Sequence, residues 1–111
     1  MPMLRITCNE AISADVLKEL SAVVAESIGK PEKYVMVVAA KGDLLMAGET
    51  GPAAYLEVKS IGGLNRDVNN ALSARVRDVL AERAGLAGDR VYITFQSIER
   101  DHWSWNGATF G

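Results

Sequence analysis

The sequence predicts one α+β domain built from duplicated βαβ units, with a four-stranded mixed sheet carrying two helices on one face. Three observations predict it. The chain repeats weakly at an offset of 52: Asp15-Val16 matches Asp67-Val68, Leu20-Ser21-Ala22 matches Leu72-Ser73-Ala74, and Val24 matches Val76. Each copy contains one apolar stripe at helical spacing. Each stripe lies between short alternating or β-branched runs that read as strands. The 111 residues suit a single domain, 1–111, with repeat halves of about 1–50 and 51–111.

The elements follow in order. Residues 3–8 alternate and read as a strand. Ser13 is placed as an N-cap, with Asp15 in the first turn favouring the helix dipole. Val16, Leu17, Leu20, Val23, Val24 and Ile28 form the first stripe. Gly29 suits a left-handed helix end, and Pro31 blocks continuation. Tyr34 to Ala40 is a continuous β-branched-rich run, expected as a buried strand. Gly42 and the segment Gly48 to Pro52 supply turns. Ala53 to Ile61 reads as a strand, although its alanines and Glu57 give it weak propensity. Asn65 caps the second helix, whose stripe is Val68, Leu72, Val76, Val79 and Leu80. Gly85 sits near its end, and Arg90 to Ile98 is the next strand. The tail, His102 to Phe110, shows no clear period.

Right-handed crossovers put both helices on the same sheet face. The other face is then uncovered. Since the Tyr34–Ala40 run is apolar on both sides, burial against other copies in a closed cyclic oligomer is expected.

Composition narrows the function classes. Net charge is −2, with 12 basic and 14 acidic residues interspersed, and there is no basic tract for nucleic acid or an acidic membrane. Apolar stretches fall far short of the ~20 residues of a membrane span. The N-terminus lacks a secretory charge-then-apolar layout, so a soluble cytoplasmic protein is expected. Cys8 is the only cysteine, which leaves no internal disulfide or cysteine-cluster metal site. His102 is the only histidine, which excludes a histidine-rich metal site, and a surface position is its ordinary explanation. No metal or cofactor is expected.

Pro2 directly follows Met1. With Met1 removed, its nitrogen becomes a free secondary amine. An ordinary α-amine has a pKa of about 7.7–8.0, so a modest drop yields a neutral base at physiological pH. Taken alone, Met-Pro is more often a plain chain start. Lys30 follows the first helix, where most lysines only meet the dipole; the functional alternative is an anion clamp. Tyr92 and Thr94 share one strand face, opposite Val91, Ile93 and Phe95, and serve either an interface or a ligand. Ser60-Ile61-Gly62-Gly63 closes a strand into a helix, where glycines either shape the loop or let backbone approach a ligand. Trp103, Trp105 and Phe110 suit either packing or the wall of a pocket for a flat ring.

The ordered set Pro2-Met3, Gly29-Lys30-Pro31 with Tyr34, Ser60-Ile61-Gly62, Asp89-Arg90-Val91-Tyr92-Ile93, Trp105-Asn106 and Thr109-Phe110 resembles the macrophage migration inhibitory factor and D-dopachrome tautomerase family. The resemblance covers nearly the whole chain. It implies the tautomerase fold, a homotrimer, and keto–enol tautomerisation of small aromatic keto acids such as phenylpyruvate, or of dopachrome analogues. It gives Pro2 the role of base, Lys30 and the Ile61 backbone the substrate carboxylate, Tyr92 a contribution from the neighbouring subunit, and Tyr34, Trp105 and Phe110 the pocket rim. Thr94 stands where the family has asparagine, Trp103 where a smaller aliphatic residue is usual, and Gln96 where an aromatic is usual. Ala53-Ala54-Tyr55-Leu56 replaces the family's Cys-x-x-Cys, so a dithiol oxidoreductase is not supported. Two other readings stand beside the enzyme. One is a cytokine-like binding protein of the same fold, exported by a non-classical route to a cell-surface receptor. The other is a dehalogenase or hydratase, for which no arginine pair is evident.

Overall fold

The computed structural model describes residues 1–111. The elements are β1 (Pro2–Cys8), α1 (Ala14–Ile28), β2 (Met36–Lys41), β3 (Ala54–Ser60), α2 (Arg66–Ala84), β4 (Val91–Ser97) and a small hairpin, β5 (Ser104–Trp105) and β6 (Ala108–Thr109). The sheet order is β2-β1-β3-β4. β1 pairs parallel with β2, β3 pairs parallel with β4, and the two βαβ units join through the antiparallel pair β1–β3. The sheet is therefore mixed, as expected from the repeat.

Both helices begin and end where side-chain chemistry dictates. The Ser13 hydroxyl accepts from the Val16 N–H at 3.3 Å, and the Asn65 side-chain oxygen accepts from the Val68 N–H at 2.9 Å. Gly29 closes α1 at φ 76°. A left-handed residue there costs glycine little and other residues much more. α1 and α2 lie side by side on one sheet face. Leu20, Val24, Leu72, Val76 and Leu80 point from them onto Leu4, Ile6, Leu56 and Val58 of the central strands, all of them buried. Each fully buried leucine contributes roughly 1.5–3 kcal/mol. No helix is long and apolar enough to cross a membrane.

Two expectations need correction. The Tyr34–Ala40 run does not begin as a strand: Glu32–Tyr34 form a 3₁₀ turn, and the strand starts at Met36. Pro31 causes this, because its fixed φ leaves Tyr34 to bond the Pro31 carbonyl at 3.1 Å before the chain extends. Nor is the strand buried within the chain. It is a sheet edge, and Met36 is 60% exposed. The open face is also mixed in character, since alternation places Arg5, Glu57, Thr94 and Gln96 on it beside Val38.

Between β2 and β3 the chain is pinned by two side chains. Arg90 donates to the carbonyls of Met46, Glu49, Gly51 and Pro52. Asn9 donates to the Thr50 and Gly51 carbonyls and accepts from the Ala53 N–H.

The β3–α2 turn sits directly against the end of α1. Gly63 has φ +81°, and a Cβ there would lie 2.7 Å from Ile28 Cγ2 and 3.2 Å from the Ile28 carbonyl. Gly62 has φ +71° with open space around it. In urea unfolding, Gly62→Ala should lose about 1 kcal/mol from backbone strain alone. Gly63→Ala should lose about 2–4 kcal/mol, since overpacking adds to the strain. Equal losses would show that the contact with Ile28 is not what requires glycine.

Candidate active site

One end of the sheet gathers the start of β1, the start of β2, the end of β3 and the tail. Pro2 pairs with Ser60 and Met3 with Met36, so the first residues of the chain are enclosed by strands on both sides. Pro2 is buried, its ring on the helix-facing side with Leu4 and Ile6. A cavity of about 550 Å³ opens at this end, lined by Met1, Pro2 and Met3 at its floor. Its size falls within the range of roughly 300–1,000 Å³ typical of small-molecule sites.

Three local devices build the walls. The 3₁₀ turn after Pro31 delivers Tyr34 to one side, next to Met36. The tail supplies the opposite side. The Ile98 N–H bonds the Ser60 carbonyl at 2.9 Å and extends the β3–β4 alignment into the tail. The Phe110 N–H then bonds the Arg100 carbonyl at 3.1 Å and the Trp103 carbonyl at 3.2 Å, which folds the tail back on itself. Between them, Asn106 at φ 51° and Gly107 at φ 88° make the two-residue hairpin turn with both residues left-handed. Trp103, Trp105 and Phe110 thereby converge on the cavity.

The chain start is electrostatically unusual. Burial, and then the Lys30 ammonium, hold the Met1 amine below its ordinary value. Both causes disfavour a positive charge at this spot. The Met1 carbonyl accepts the Ile61 N–H at 3.3 Å. Ser60 is fully buried, and its hydroxyl donates to the Gly62 carbonyl at 2.7 Å, which holds the turn that presents the Ile61 amide.

The sequence-predicted site residues fall into two groups. Pro2, Tyr34, Trp103, Trp105 and Phe110 meet in the cavity. Lys30 and Ile61 do not line it, yet both adjoin the chain start: Lys30 acts on the Met1 amine and Ile61 bonds the Met1 carbonyl. Tyr92 and Thr94 lie elsewhere. Strand order puts β4 two places from β1, so their side chains stand on the far part of the open sheet face. Tyr92 is 66% exposed beside a smaller recess, and the Thr94 hydroxyl pairs with Tyr55 OH at 2.9 Å.

The structure adds residues that sequence reasoning missed. Lys33, Lys59, Met3, Met36 and His102 also line the cavity. For His102, a plain surface position is therefore not the whole account, although the residue is exposed. The available signal was the Asn106-Gly107 pair, which marks a hairpin in the tail but not the surface it packs against. No group of three or more His, Cys, Asp or Glu side chains is placed to hold a metal ion.

Comparison with known proteins agrees with this architecture. The family model described as macrophage migration inhibitory factor (MIF) matches residues 1–111. A macrophage migration inhibitory factor homolog of Brugia malayi is 36% identical over 115 residues, covering 100% of both chains. The crystal structure of a homologue from Prochlorococcus marinus superposes with a TM-score of 0.92 at 38% identity, covering 98% of this chain and 99% of that one. A more distant solved structure, of a protein inactivated by 2-oxo-3-pentynoate, gives a TM-score of 0.84 at 25% identity over 97% of this chain and 94% of that one. Matched along its whole length in sequence and in fold, the chain belongs to the macrophage migration inhibitory factor family.

Proposed function

We propose that this chain is a keto–enol tautomerase for phenylpyruvate-like or dopachrome-like substrates, with the Pro2 nitrogen as base once Met1 is removed. The observation that carries this reading is the placement of Pro2. It begins a central strand on the floor of an aromatic-walled cavity, at a spot where a cationic amine is disfavoured. A relative crystallised after inactivation by a 2-oxo acid supports the same substrate class.

Removing Met1 exposes two groups together. The Pro2 nitrogen ceases to be an amide, and the Ile61 N–H loses the Met1 carbonyl as its acceptor. A substrate carboxylate then takes that N–H and the Lys30 ammonium, which fixes the carbon next to the ketone near the amine. Neutral Pro2 accepts a proton from that carbon. Charge passes to the ketone oxygen as an enolate, which nearby cations stabilise; the oxygen then takes a proton from water to give the enol, and Pro2 returns its proton to solvent. Tyr34, Trp103, Trp105 and Phe110 hold the ring, an aromatic contact being worth about 0.5–1.5 kcal/mol beyond area burial.

Tyr92 and Thr94 serve the cavity of a neighbouring copy. They stand on the uncovered sheet face, far from their own chain's Pro2, so they reach such a site only across an interface. A homotrimer supplies that interface. The other reading, a binding or signalling protein that keeps the fold, draws on the name its relatives share. The two part on turnover.

Three outcomes are expected. Protein carrying one uncleaved residue ahead of Pro2 should tautomerise phenylpyruvate about 10²–10⁴-fold more slowly than processed protein, the usual contribution of a general base. A comparable rate removes Pro2 as the base. Second, kcat/KM should rise with pH and level off, because only the neutral amine accepts a proton. Burial and then Lys30 hold the Met1 amine low at this end of the sheet, and the same two causes act on a Pro2 amine one residue further in, so the inflection is expected below that of an ordinary α-amine. Lys30→Met should move it upward, and an inflection that stays put or falls excludes Lys30 as the responsible cation. Third, sedimentation equilibrium should give a mass three times the 11.9 kDa chain. A monomer would leave Tyr92 and Thr94 without a site to serve.

A further inference from the structure

The cavity at the chain start carries charge of one sign. Lys33 and Lys59 line it, His102 joins them, and no aspartate or glutamate does. This is a local inversion, because the chain as a whole has net charge −2. Neither lysine has a carboxylate partner. The ion pairs of the chain are Arg75–Glu26, Arg77–Asp78, Arg83–Glu19 and His102–Asp101, and Glu32 and Glu57, the nearest acidic residues in sequence, take part in none.

The two lysines arrive from different elements. Lys33 comes from the 3₁₀ turn, with its ammonium 5.0 Å from the centre of the Tyr34 ring. A cation over an aromatic face is held there by the ring quadrupole. Lys59 comes from β3, half-buried, opposite Met3 and one residue from the Ser60 that pairs with Pro2. Lys33 is exposed and Lys59 half-buried, and an ammonium with no carboxylate partner gains from an incoming anion. Lys30 and the Ile61 amide already account for one carboxylate. Lys33 and Lys59 are then left over, facing the same space.

We infer that the preferred substrate is a dianion: a 2-oxo acid carrying a second carboxylate at its far end, with Lys33 and Lys59 holding that second group. The inference rests on the keto–enol reading of this site and narrows its substrate class. A neutral aromatic ring would meet the tryptophans and Phe110 but leave both lysines unanswered. A ring or short chain ending in carboxylate satisfies the walls and the cations together.

Binding and turnover test this separately. Calorimetric titration of the processed protein compares terephthalate with benzoate, two flat acids that differ by one carboxylate. Terephthalate should bind about tenfold more tightly, the scale of one well-placed charge-assisted contact. The preference should shrink with added salt and fall to within about twofold in the Lys33→Met/Lys59→Met variant. Methionine keeps the apolar stems, and the comparison in the unaltered protein needs no variant at all. Equal affinities there, or a preference that survives in the double variant, overturn the inference. Turnover of phenylpyruvate and of its ring-carboxylated analogue is then measured on the same protein. Phenylpyruvate turnover without a terephthalate preference discards the dianion and keeps the tautomerase. A terephthalate preference without turnover of either keto acid keeps the second anion site and discards the base.

Discussion

The antiparallel pairing of β1 with β3 is the constraint on which the rest depends. It runs the first residues of the chain through the middle of the sheet, with Pro2 opposite Ser60. Chain ends are ordinarily frayed and wet. Here the end is enclosed by β2 on one side and β3 on the other, and the Met1 carbonyl is tied to the Ile61 amide. Burial of a chain start in this manner has two effects. It lowers the affinity of the terminal amine for a proton, and it fixes that amine against a cavity floor. Neither effect would arise if β1 were an edge strand.

The duplication explains why β1 is central. β1 and β3 are equivalent strands of the two units: adding 52 to Pro2–Cys8 yields Ala54–Ser60. Joining two parallel βαβ units through their first strands leaves β2 and β4 as the edges. Equivalence ends in the helices, since α1 has 15 residues and α2 has 19. At the end of α1 the chain turns at Gly29, and Ile28 and Lys30 lie against Gly63. That turn brings the Lys30 stem to within 3.7 Å of where a Gly63 side chain would begin.

Much of this was legible in the residues. Caps at Ser13 and Asn65, glycines at both helix ends, two apolar stripes and the alternation in β4 are local signals, and each one agrees with the final packing. The fold was readable because these signals do not conflict. Tyr34 was misplaced by a local competition: its β-branched neighbours favour a strand, but Pro31 commits the next residues to a 3₁₀ turn. The site was less legible. Lys33 and Lys59 carry no motif and lie 26 positions apart, and only the folded sheet makes them face one space. The tail hairpin did have a signal, Asn106-Gly107, but it lies in a segment too short for periodicity. The roles proposed for Lys30, Ile61 and Tyr92 rest on the family resemblance, because pattern alone leaves them open.

Under the proposed tautomerase reading, charge at the chain start serves two requirements that usually oppose each other. A base must be neutral to accept a proton, while an anionic substrate needs cations to hold it. Placing an acid near the amine would raise its pKa and repel the substrate. Placing lysines there does the reverse on both counts. The cavity follows this rule throughout: its lining holds lysines and a histidine and no carboxylate, with Lys30 close behind. The cost is self-repulsion among the lysines, which the aromatic face of Tyr34 and the partial exposure of the side chains offset. A pocket lined this way presents a positive field to any anion that approaches it.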